Sequence, residues 1–279
     1  MTERPASNGD AGVSGYPPEH HVLRDLAIEV QHGRTRSRAW LPCPAEVRND
    51  AGRVRIGALA TAVDAVCGGM AAIAAAPGWI ATADLTLHLL APLEADELEA
   101  TATVRRAGRT TVVMDAEVVA SSRPDSVLAI GSLTFSVLER RDSNPVLDAP
   151  PDDGPAPRRS FLGQTSRFSS PVYESCGFVD HGAGVVEVPV RDYVRNSLGG
   201  VQGGVLASLV DAASCSALGP GFETVDLHMT YLSLAKAGPI RAEAVTERVS
   251  GDAGAVSVTL HDLGATRRTT IAQCSGVRW

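Results

Sequence analysis

The stretch NDAGRVRIGALATAVDA at residues 49–65 is answered, later in the chain, by NSLGGVQGGVLASLVDA at 196–212. Nine of the seventeen positions are identical at a constant offset of 147, among them Asn49/Asn196, Gly52/Gly199, Gly57/Gly204 and Asp64/Asp211. Self-similarity of this kind marks a repeated structural unit. Upstream the same offset pairs Pro42 with Pro189; downstream it falls to 142, where Thr82, Asp84, Leu85 and Leu90 meet Thr224, Asp226, Leu227 and Leu232. Ala100, Ala102 and Arg106 then meet Ala242, Ala244 and Arg248, and Trp279 falls opposite Val137, so both copies finish at the same place. The expected organisation is a flexible tail at 1–18, a domain at 19–139, a linker at 140–160 and a second domain at 161–279. The linker stretch RRDSNPVLDAPPDDGPAPRR, residues 140–159, is dense in Pro and Asp and has little to bury.

Within each copy an alternating stretch leads to a Gly-rich loop opened by Asn. An Ala/Leu/Val run long enough for a helix follows, at 57–76 in the first copy and 204–218 in the second. Both runs are apolar on nearly every side, which predicts buried helices. Val/Thr/Leu-rich runs bounded by Gly and Pro come next, at 82–90, 98–106, 110–120 and 127–137, then at 225–234, 240–248, 255–262 and 269–277. One buried helix followed by a meander of long strands predicts an α+β fold, with an antiparallel sheet wrapped around the helix.

Composition narrows the function classes. The 279 residues carry 44% hydrophobic and 20% charged side chains, as a globular protein does. A net charge of −7 argues against nucleic acid as a partner. Cys43, Cys67, Cys176, Cys215 and Cys274 are odd in number and never in CxxC spacing, so neither a zinc site nor a disulfide framework is expected. The first twenty residues lack an apolar core for a signal peptide, and the apolar stretch around 56–76 contains Asp64 and several glycines. A cytoplasmic protein with no membrane partner is the expectation.

The second copy's NxxGxVQGGxLxxLxD resembles the signature of the 4-hydroxybenzoyl-CoA thioesterase superfamily, in its phenylacetate-pathway-like branch, where NxxGxxHGGxxxxLxD is usual. The resemblance spans about 120 residues per copy and implies a double hotdog fold. It also implies hydrolysis of an acyl-CoA thioester, with coenzyme A as part of the substrate and no other cofactor. A pair of fused copies is already a pseudo-dimer, and such pairs often associate further.

Carried over position by position, the resemblance makes Asn49, Asn196, Gln202, Gly203, Asp64 and Asp211 the candidate catalytic residues. The Gly203 N–H would hold the thioester carbonyl, Asn196 would polarise that carbonyl or position water, and an Asp would act as nucleophile or general base. A helix N-terminus suits an oxyanion because its N–H groups are free and its dipole is positive. Eight residues separate Gly203 from Asp211, roughly 12 Å along a helix, so one carbonyl cannot touch both. The acid must come from the other copy. One composite site therefore joins Asn196, Gln202 and Gly203 to Asp64; the other joins Asn49, Arg55 and Ile56 to Asp211. The first keeps the glycine and is expected to be the better catalyst. Arg55 and Gly204 are expected at the coenzyme A portion, Arg55 on a phosphate.

Plainer readings stand beside these. Asn49 and Asn196 suit turns and caps equally well. The glycines suit a tight loop and close packing. His88 and His228 suit a sheet surface. Gln202 donates hydrogen bonds but does not titrate, unlike the usual His. A binding protein with drifted sites is the alternative to an enzyme. A hydratase is a weaker one, because the D-x-N-P echo at 142–145 lies in the linker and has Leu147 where a His is needed.

Overall fold

The computed structural model describes residues 16–142, 144, 150, 154–160 and 168–279. The tail as far as residue 15, linker positions 143, 145–149 and 151–153, and the opening of the second domain at 161–167 lie outside the described residues. In the first half the order is α1 (Val22–Asp25), β1 (Glu29–Gln31), β2 (Arg36–Pro42), α2 (Ile56–Ala74), β3 (Trp79–Leu89), β4 (Glu97–Ala107), β5 (Thr111–Ala120) and β6 (Arg123–Leu138). After β7 (Arg159–Ser160) the second half repeats it: α3 (Val172–Cys176), β8 (Val179–Gly182), β9 (Val185–Val188), α4 (Gly203–Leu218), β10 (Glu223–Tyr231), β11 (Ile240–Ser250), β12 (Ala253–Asp262) and β13 (Arg267–Val277). The strands expected from the sequence all form, mostly longer by a few residues at their ends.

All strands among the described residues join one sheet in the order β7-β1-β2-β4-β5-β6-β3-β10-β13-β12-β11-β9-β8. The seam between halves is the antiparallel pair β3–β10, with Leu85 opposite Met229 and Thr86 opposite His228. Thr230 donates to Asp84 Oδ1 across the seam (2.8 Å), and His88 pairs with Asp226 (2.6 Å) at the exposed face. That places His88 in the surface role its strand position allowed.

α2 packs on the first half's strands, α4 on the second's, and the two helices pack on each other. Alternation on β5 (Val112, Met114, Ala116 and Val118 buried) and on β12 (Val256, Val258 and Leu260 buried) turns one face of the sheet to the helices. α2 is apolar and long enough to cross a membrane by length and composition, yet Ala58, Leu59, Val63, Val66 and Met70 on it are buried in this core. The helices cross at small residues. A Cβ on Gly204 would lie 2.3 Å from Thr61 Cα, and one on Gly57 would lie 2.5 Å from Ser208 Cα, so each glycine admits the other helix's backbone. One central helix per half, on a sheet continuous across the halves, is the double hotdog arrangement.

The linker departs from expectation. Asn144 is buried, with its amide Nδ2 3.5 Å from Ser197 O, and its Oδ1 accepts from the Arg141 N–H (2.8 Å). Residues 159–160 extend the first half's sheet by pairing with β1, and the Ala156 N–H donates to His32 O (2.7 Å). Pro-rich composition hid this, because an edge strand needs few apolar side chains when its backbone is what pairs.

Candidate active site

The loop before α4 is folded by its own asparagine. Asn196 Oδ1 accepts from the N–H groups of Leu198 (2.9 Å) and Gly200 (3.1 Å), and its Nδ2 donates to Val201 O (3.2 Å). Asn49 does the same in the first copy, accepting from Ala51 (3.1 Å) and Arg53 (3.0 Å). Both side chains hold their own loops, the turn role that their residue type also suits. Asn196 still lines the cavity described below.

Gln202 then caps α4 with extended backbone, and Gly203 is the first helical residue, so the N–H groups of this first turn have no acceptor within the helix. Asp64 from α2 reaches this point. A Cβ on Gly203 would lie 2.8 Å from Asp64 Oδ2, a space only glycine leaves open. The Gly204 N–H donates to the same carboxylate, and Thr82 Oγ1 donates to its Oδ1 at 2.8 Å. Asp64 is only 6% exposed. Burial pushes its pKa up to about 6, against the opposing bonds from Thr82 and Gly204. A carboxylate that titrates near neutrality is suited to taking a proton.

Asp64, Gln202 and Gly203 open on a cavity of about 570 Å³ whose apolar walls include Trp79, Phe135 and Leu206. It lies between the copies: α2, β3 and β6 form one side, and the Asn196 loop, the start of α4 and residues 231–235 the other. Two tyrosines line it near the helix N-terminus. Tyr231 donates to Gly203 O (2.9 Å), and Tyr16 points its hydroxyl at Gln202 Oε1 (3.5 Å). Burial raises the pKa of both phenols, so they act as hydrogen-bond donors and not as bases.

The Asp211 side is built differently. Tyr173 donates to Asp211 Oδ2 in a short hydrogen bond, and Cys215 Sγ lies 3.5 Å from Oδ1. Arg55 lies over the Tyr173 ring, 4.8 Å from its centroid, and beside Asp211. The charge of Arg55, expected on a phosphate, is thus matched inside the chain by Asp211. Gly204, also expected at the coenzyme portion, sits in the helix crossing with its N–H on Asp64. Ile56 is 2% exposed and belongs to the core.

Sequence reading missed Thr82, Tyr16, Tyr231 and Tyr173. Thr82/Thr224 was visible as a repeat pair, but the motif, confined to loop and helix, gives no sign of a hydroxyl partner for the acid. The strand supplies it instead. The tyrosines come from segments outside the motif, where spacing carries no signal.

Thr82→Val removes the hydroxyl while keeping nearly the same shape. The titration midpoint of Asp64, followed by carboxyl ¹³C NMR, is expected to rise by about one to two units, since a bond to a charged group is worth about 1.5–3 kcal/mol. A midpoint that stays at about 6 would show that the hydroxyl does not hold the carboxylate.

Residues 52–126, from the loop before α2 into β6, match the family model of the thioesterase superfamily, and this span holds Asp64 and Thr82. Comparison with curated proteins gives no match. Among solved structures, the tesB protein MAP1729c of Mycobacterium avium subs paratuberculosis superposes with a TM-score of 0.60 at 16% identity, covering 92% of this chain and 97% of its own. An acyl-ACP thioesterase from Bacteroides thetaiotaomicron gives a TM-score of 0.58 at 10% identity, over 86% and 97% of the two chains. Likeness over nearly the whole of both chains establishes the double hotdog fold.

Proposed function

We propose that the chain hydrolyses acyl-CoA thioesters to the free acid and coenzyme A, at the cavity that joins Asp64 to the start of α4. The observation that carries this reading is the buried Asp64 carboxylate of one copy, held against the first turn of the other copy's helix beside a cavity of about 570 Å³. The Gly203 N–H and the Gln202 amide are the donors for the thioester oxygen as it gains charge. Ionised Asp64 either takes a proton from the attacking water and returns it to the departing thiolate, or attacks the carbonyl carbon itself to form a mixed anhydride that water then cleaves; in both routes the C–S bond breaks and water supplies the oxygen of the acid and the proton of the thiol. The match of residues 52–126 to the thioesterase superfamily supports the reaction class. The NxxGxVQGG spelling of the second copy supports the phenylacetate-pathway-like branch.

One observation favours a second reading, an acyl-CoA-binding protein without turnover: the Asn196 side chain is consumed by its own loop. Free-thiol release from short, medium, long and aromatic acyl-CoAs separates the two. Turnover on at least one panel member, kept within a few-fold in Asp211→Asn, is the expected result. Binding of acyl-CoA without thiol release would leave the binding protein, and absence of both would end the acyl-CoA reading.

A further inference from the structure

Several residues at the Asp64 cavity have repeat counterparts in the other half that are larger or charged. Leu23 lines the Asp64 cavity. Its counterpart is Tyr173: α1 and α3 run in step from Val22 and Val172 to left-handed residues, Ala27 (φ 49°) and Gly177 (φ 81°). Where Leu23 leaves space, the Tyr173 hydroxyl reaches Asp211 and its ring carries the Arg55 guanidinium. Ala81, also on the cavity wall, corresponds to Glu223 at the offset of 142, and Gly200, between the wall residues Leu198 and Val201, corresponds to Arg53 at the offset of 147. Arg53 and Glu223 meet: Arg53 Nε lies 2.9 Å from both carboxylate oxygens, and the two side chains are 18% and 17% exposed. Finally, Ile56 carries a Cβ at the helix start where Gly203 lets the acid approach.

The geometry points to a sealed second site: Tyr173 fills the Asp211 half from within, the Arg53–Glu223 ion pair closes its wall, and the chain takes up one acyl-CoA instead of two. The sealing groups are balanced in charge. Arg55 faces Asp211 and Arg53 faces Glu223, so the half is closed without an unpaired buried ion. Tyr173→Leu restores the Leu23 arrangement and leaves Arg55 beside Asp211. Arg53→Gly with Glu223→Ala restores the Gly200/Ala81 arrangement at no change in net charge.

The stoichiometry rests on the acyl-CoA reading above, so the test includes a measurement that does not. Cys215 lies beside Asp211 and serves as the reporter. Alkylation of full-length protein by iodoacetamide, followed residue by residue in a mass spectrometer, is expected to rise at Cys215 by about tenfold or more in Tyr173→Leu and in the Arg53→Gly/Glu223→Ala pair. The buried thiols of Cys43, Cys67, Cys176 and Cys274 stay protected. The two variants alter different layers, one core and one wall, so a folding defect in one leaves the other decisive. Unchanged Cys215 labelling in the folded variants overturns the proposal. Calorimetric titration with a hydrolysis-resistant thioether analogue of acyl-CoA is expected to give one site per chain in wild type and two in the combined variant. Two sites in wild type also overturn it. No binding in wild type refutes the acyl-CoA reading, while Cys215 still decides whether the half is sealed.

Discussion

Asp64→Asn is expected to lower thiol release at pH 8 by about a hundredfold or more and, in the same protein, to raise the melting temperature. The first effect follows from role: a positioned base or nucleophile contributes about 10²–10⁴-fold, and an amide can do neither job. The second follows from burial. The folded-state pKa of Asp64 lies at about 6, above its ordinary 3.8. The folded chain therefore favours the protonated form. Stability from this group is fully present below pH 3.8 and is lost as pH rises through about 6. At pH 8 the carboxylate is ionised at a cost on the order of 2–3 kcal/mol, which Asn avoids while still accepting from Thr82. Calorimetry at pH 8 and at pH 4 checks the sign, since the advantage of Asn should shrink at the lower pH. The wild-type rate should fall about tenfold per unit below pH 6, whereas the residual rate of the variant should not follow that limb. A variant equally active at pH 8 would remove Asp64 from the chemistry.

Gly204→Ala is expected to destabilise the chain more than any other single methyl addition considered, by about 3 kcal/mol or more, and to reduce soluble yield. Ordinary overpacking costs about 1–3 kcal/mol because side chains can rotate aside. Here the added Cβ would stand 2.3 Å from Thr61 Cα, and a backbone atom in a helix cannot rotate aside. α2 and α4 would have to separate, and with them Asp64 and Gly203. Denaturant unfolding of the variant beside Gly203→Ala makes the comparison. At Gly203 the atom in the way is Asp64 Oδ2, so that change should cost activity more than stability. Equal stability losses at the two positions would mean that the helix crossing is looser than the structure has it.

Much of the architecture was legible because the chain says it twice. A helix that is apolar on all sides is ambiguous alone, but its recurrence with Asn fifteen residues before the Asp tied loop, helix and acid together. The distance from Gly203 to Asp211 along the helix then required the acid to come from the other copy, and the structure does bring Asp64 to Gly203. Asn196 and Arg55 were harder, because a motif gives the residue type and not the direction of its side chain. Asn196 turned into its loop, where three backbone groups await it. Arg55 turned toward Asp211, the nearest buried negative charge. Thr82 escaped notice because strand and helix meet there only in three dimensions, and Tyr173 because it differs from Leu23, and a repeat search rewards sameness.

The seam between β3 and β10 has a consequence for how such a chain can change. Each half holds the acid for the other's helix start, so a lesion in one copy is felt as a fault in its neighbour, and the pair is inherited as one unit. A gene encoding either half alone would give a partial sheet with an open edge and an acid facing nothing. Two separately expressed halves that found each other along that edge would regain the cavity, which makes reassembly of split fragments a natural way to follow the pair's history.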